Sequence, residues 1–82
     1  MNHSWARIHQ VGSAAEPRQI GTRAYWNGLE YVSEVEGQPD VIFRGANAEH
    51  DAKMDADSAV MKQYPHECGP ASCGSWKPFA KS

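Results

Sequence analysis

The residues with most chemistry to offer stand near the C-terminus, in the pattern His66-x-Cys68-x4-Cys73. One imidazole and two thiols in so short a span are soft or borderline ligands, and His50 is a candidate fourth for tetrahedral zinc. The spacing differs from the usual Cys-x2-Cys, and the chain holds only two cysteines. Three states compete: free thiols, a Cys68–Cys73 disulfide closing a small ring, and a metal site. Compartment weighs on the choice. No apolar run exceeds three residues, so neither a signal-peptide core nor a membrane span is legible. The expectation is a cytoplasmic protein, in which thiols are more often reduced than bridged.

Cys68 and His66 also invite a nucleophilic reading. Such catalysis needs a base oriented by a third group and a pocket that excludes water. A proline-rich tail offers little of either, and no recognised catalytic or phosphate-loop motif is present. His3, His9 and His50 show no ligand pair at helical spacing and read as surface or partly buried side chains. The chain is therefore expected not to be an enzyme and to carry no cofactor, zinc at His66, Cys68 and Cys73 being the alternative.

Charge is unevenly placed. Between Asn27 and Val60 lie eight acids against two bases, Arg44 and Lys53, while the other six bases lie in the flanks. Nucleic-acid binding would have to rest on Arg23, Arg44 and the basic tail at Lys77 and Lys81. Glu30, Glu34 and Glu36 would repel phosphate on the same surface. An acidic surface instead suits a basic groove on a protein partner, including one that normally holds nucleic acid.

These side chains must be positioned by a thin core. Leu, Ile, Val and Phe number only 11 of 82 residues, below what a comfortable globular core contains. A partner, a homodimer interface, a metal or a disulfide would add stability. Three Trp and three Tyr make up part of the deficit.

The chain is expected to be α+β: a small antiparallel sheet of three to four strands, with a central β-meander over 20–44, packed by one helix. Ser4–Val11 reads as a first strand, with Trp5, His9 and Val11 facing one way. Asn27-Gly28 is the strongest short-range hairpin signal and predicts a two-residue type I′ turn. That register pairs Trp26 with Leu29, Ala24 with Tyr31 and Thr22 with Ser33. It gathers Ile20, Ala24, Trp26, Leu29, Tyr31 and Val35 on the core face. For the second turn, a three-residue loop at Gly37-Gln38-Pro39 turns Val41 and Phe43 inward and Ile42 outward, burying more than the even alternative. The outer face then carries a row Arg23–Val32–Arg44 beside Tyr25, Glu30, Glu34 and Ile42.

From about 47 to 64 the period is helical, with Ala48, Ala52, Ala56 and Ala59 on one side and Asn47 as N-cap. A shorter helix starting after Asp55 or Asp57 is the alternative. Pro65 ends it, and 65–82 reads as an irregular tail anchored by Trp76 and Phe79, outside a single domain over 1–64.

These surfaces point to a small non-enzymatic binding protein. Its expected partner-binding residues are Arg23, Tyr25, Glu30, Val32, Glu34 and Ile42 on the outer sheet face, with Asp51, Asp55 and Asp57 on the helix. Exposed aromatic and aliphatic residues ringed by charge have the composition of interface hot spots. By size and charge the chain is similar to short phage and mobile-element proteins that inhibit host nucleic-acid-handling complexes, CRISPR effectors among them. A small nucleic-acid-binding or zinc-stabilised regulatory module is the second reading.

Overall fold

Alternation of side chains along each strand decides what faces the core. In the computed structural model, which describes residues 3–13, 15–64 and 73–79, the expected α+β architecture is present. One helix lies on a five-stranded antiparallel sheet. The elements are β1 (Ser4–Gly12), β2 (Pro17–Trp26), β3 (Tyr31–Val35), β4 (Val41–Phe43), α1 (Ala48–Gln63) and β5 (Lys77–Phe79). The sheet order is β4-β3-β2-β1-β5. The last strand comes from the stretch expected to be irregular, and it pairs with β1 through Ser4↔Phe79 and Ala6↔Lys77.

The first hairpin departs from its expected register. Trp26 pairs with Tyr31, Ala24 with Ser33 and Thr22 with Val35, so the loop spans Asn27–Glu30 rather than two residues. A type I′ turn needs positive φ at both central positions. In this loop only Gly28 adopts it, at 102°, and no non-glycine among the described residues does. Asn27 instead uses its side chain, whose Oδ1 accepts from the backbone N–H of Leu29 (2.9 Å) and Glu30 (2.7 Å). Leu29 is thereby lifted out of the core to the turn tip, where it is 76% exposed. Because the register shift is two residues, the two faces of the sheet keep their membership.

The second connection behaves the same way. Pairing of Tyr31 with Phe43 and Ser33 with Val41 leaves Glu36–Asp40 as an odd, five-residue link instead of three. Gly37 (φ 80°) permits the tight turn in which the Gln38 N–H donates to the Val35 carbonyl. Val41 and Phe43 take the helix-side face and Ile42 the other, as expected. At the sheet edge, however, Val41 stays exposed rather than buried.

The helix fills the inner face. Ala48, Ala52, Ala56 and Val60 are buried against the sheet, and their small side chains let the helix axis sit close. Asn47 occupies the N-cap position but makes no side-chain cap bond. The helix covers the full expected span, so the shorter alternative does not apply. Two apolar clusters result, one around Val11, Ile20, Val35, Ala56 and Val60, the other around Ala24, Tyr31, Ala48 and Ala52, and Trp76 packs against both. Trp76 is thus the expected anchor.

Candidate functional site

The outer face is built from the row Tyr25–Val32–Ile42, set by register, in place of the expected Arg23–Val32–Arg44. Arg23 instead lies opposite Glu34 and bonds it at 3.1 Å. Arg44 bonds Glu30 across the neighbouring strands. Val32 is only 2% exposed and Tyr25 is also buried. Neither is the exposed anchor expected from the sequence. Ile42, at 46% exposure, is. The Arg23 guanidinium also sits 5.6 Å from the Phe79 ring, which ties β5 to this face.

Beside that row the surface is hollow. Gly21 has no side chain in mid-strand, and a Cβ there would meet nothing nearer than the Ile8 Cδ1 at 3.9 Å. The resulting open groove of about 640 Å³ is lined by Ile8, Gly21, Arg23, Glu34, Glu36 and Asp40 among others. Its floor is partly apolar through exposed Ile8, and Glu34, Glu36 and Asp40 share its walls with Arg23, which is paired to Glu34, and Arg7, which is paired to Asp57. Gly37 and Gln38 line this groove and also a hollow of about 590 Å³ on the helix side, where Asp55 stands near Val41. Carboxylates therefore stand on both sides of the β3–β4 turn, with Lys62 beside Asp55 on the helix side. Asp51 shares a helix face with Asp55, four residues on, and is exposed.

Asp57 does not belong to that surface. It is 7% exposed, and its Oδ2 accepts from Arg7 Nη1 at 2.9 Å. Around it lies a polar cluster that the sequence did not bring to notice. His9 is fully buried at mid-strand in β1. Its Nε2 is 3.4 Å from Asp57 Oδ1 and 3.2 Å from Thr22 Oγ1, and its Nδ1 is 3.1 Å from Cys73 Sγ. Thr22 gives its own proton to the Arg7 carbonyl at 3.2 Å, so its oxygen is available to receive one from His9. Cys73 is disulfide-bonded, so its sulfur has no proton to give. The ring thus has the Cys73 sulfur on one side and the Thr22 hydroxyl and the Asp57 carboxylate on the other.

Free thiols were the favoured expectation, and the disulfide corrects it. The chain's other cysteine is Cys68; Cys68 and His66 lie outside the described residues. A bridged sulfur is not a thiolate, so Cys73 is no zinc ligand in this state. Among the described residues no three His, Cys, Asp or Glu side chains are grouped as a metal-ligand set.

What this cluster does is fasten. The Arg7 Nε donates to the Gly74 carbonyl at 2.6 Å, and its guanidinium lies 5.6 Å from the Trp76 ring. The Gly74 N–H donates back to the Ile8 carbonyl at 3.0 Å. The segment 73–79 is thus held onto β1 by backbone, charge and sulfur contacts together. The signal available in the sequence was the alternation of β1, which puts Arg7 and His9 on the same side as Trp5 and Val11. At the opposite end of the helix, the Tyr31 hydroxyl donates to Glu49 at 2.7 Å. Burial, and then the carboxylate it bonds, push its pKa up to about 12.

Comparison with known proteins yields no family model, no curated protein and no solved structure that matches this chain.

Proposed function

We propose that this is a small non-catalytic binding protein whose acidic end, around the β3–β4 turn, occupies a basic surface on a protein partner. The observation that carries the reading is the groove over Gly21, with an apolar floor at Ile8 and the carboxylates of Glu34, Glu36 and Asp40 around it. Complementary charge steers such encounters and selects against acidic competitors. A basic groove that normally holds phosphates is the surface it fits best, so the biological effect is inhibition of a nucleic-acid-handling complex by occupancy. Direct nucleic-acid binding is the weaker reading, because Arg23 and Arg44 are each already bonded to a glutamate. A stable disulfide suits an oxidising compartment better than the cytoplasm first expected, and the binding reading holds in either. No helix among the described residues is long and apolar enough to cross a membrane.

The test is a pull-down from the source cell at low salt, repeated with two variants. Glu36→Lys with Asp51→Lys and Asp55→Lys reverses charge, and Gly21→Leu fills the groove at a position without backbone strain. Capture of a basic protein that weakens with salt and is lost in both variants supports the proposal. Capture undiminished in both, or a low-salt gel shift with DNA that neither variant alters, removes it.

A further inference from the structure

The sheet ends on two edges of different character. On β5, Pro78 has no N–H to offer and Lys77 carries charge, both devices that discourage strand addition. On β4, the edge is Val41-Ile42-Phe43, with no proline and no charge inside the strand, and both Val41 and Ile42 are exposed. Backbone polarity decides which groups that edge presents. The Asn27 N–H donates to the Glu30 carbonyl, and the Glu36 N–H to the Gly21 carbonyl. In an antiparallel ladder, hydrogen-bonded and non-bonded pairs alternate. Pairs 27/30 and 21/36 are bonded, so Tyr25↔Val32 is bonded too, and Val32 spends its backbone groups on β2. Val32↔Ile42 is then a non-bonded pair, and the N–H and C=O of Ile42 point away from β3 to the open edge.

The flanking sequence names the occupant. Asp40-Val41-Ile42-Phe43-Arg44 is antisymmetric in charge about Ile42. We propose that β4 pairs antiparallel with β4 of a second copy about a two-fold axis at Ile42. Ile42 exchanges both hydrogen bonds with the partner's Ile42. Val41 lies opposite the partner's Phe43, and Asp40 opposite the partner's Arg44, twice by symmetry. Opposite charges directly across strands stabilise such a pair, and like charges destabilise it. Any other basic strand would satisfy Asp40 but leave Arg44 facing a like charge. The Arg44 side chain has the freedom to reach across, since it is 79% exposed despite its bond to Glu30. Five residue pairs bury less than a standard interface, so the dimer is a weak one, in the micromolar-to-millimolar range. The inference shares Asp40 with the proposed acidic groove but rests on the β4 edge and needs no partner protein.

Sedimentation velocity on the oxidised protein across that concentration range tests it. The expected result is concentration-dependent dimerisation, lost in Asp40→Arg and in Arg44→Asp and restored in the double exchange. Ile42→Pro, which removes an outward N–H and spares the bonds to β3, gives a folded monomer by circular dichroism. A wild-type monomer at millimolar concentration overturns the proposal. So does a dimer that survives Ile42→Pro, or a double exchange that stays monomeric while folded.

Discussion

Replacing Asp57 by alanine separates two accounts of the helix. As a solvated acid on a polar helix face, Asp57 would change stability by no more than about 0.5 kcal/mol on removal. Placed as observed, it holds Arg7 at 2.9 Å and His9 at 3.4 Å, and its side chain is 9% exposed. Removing one partner of a buried pair strands the other charge and costs about 3–5 kcal/mol. Arg7 retains the Gly74 carbonyl and some solvent contact, so the lower end of that range, about 3 kcal/mol, applies. A domain of this size has roughly 4–12 kcal/mol in total, so the loss is a large share of it. Since each kcal/mol moves Tm by about 4–8 °C in a domain this small, the expected drop is about 12–24 °C. Thermal unfolding followed by circular dichroism measures it, with Asp51→Ala as the exposed control, expected within a few degrees of wild type. Trp76 lies against Arg7, so its fluorescence should report early release of the C-terminal segment in Asp57→Ala. A Tm within about 4 °C of the wild type, equal to the control, would refute the buried-pair argument.

Tyr31 gives a pH dependence with a definite sign. Its folded pKa is raised from 10.0 to about 12, so the unfolded chain releases the proton first. The stability it contributes is whole below pH 10 and is lost as pH rises to about 12. Tyr31→Phe should flatten that part of the stability profile, and an unchanged decline in the variant would reject the assignment. Opening the disulfide with a dithiol should lower stability by about 2 kcal/mol, from the entropy of so short a ring. Cys73→Ser should match the reduced protein in urea unfolding and respond no further to reductant. Leu29→Ala should be nearly silent, within about 0.5 kcal/mol, whereas a core-facing leucine would cost about 2–5 kcal/mol. A large loss would restore the two-residue turn.

Parity was the part of this fold that local chemistry settled. Val32, Ile42 and Tyr25 lie on one face and Val35, Phe43 and Tyr31 on the other because side chains alternate, and both loops changed length by two residues without disturbing that. The presence of the helix was legible from four alanines at helical spacing, but its start was open between Asn47 and Asp57 until packing on the sheet extended it over Ala48–Gln63. Loop length itself was not, because Asn27 had two ways to satisfy a turn, by positive φ or by its side-chain carbonyl, and nothing local chooses between them. Exposure on the outer face was decided by cross-strand neighbours. Val32 stands between Tyr25 and Ile42 on the adjacent strands and is buried there, a placement made by residues distant in sequence. The same holds for the buried cluster. Arg7, His9, Thr22, Asp57 and Cys73 come from two strands, a helix and the C-terminal segment, and beyond the alternation that pairs Arg7 with His9 no spacing in the sequence relates them. Asp57 looked like its helical neighbours Asp51 and Asp55. Only the packing of β1 against that side of the helix, with Arg7 and His9 waiting there, made it a buried counter-charge instead of a surface one.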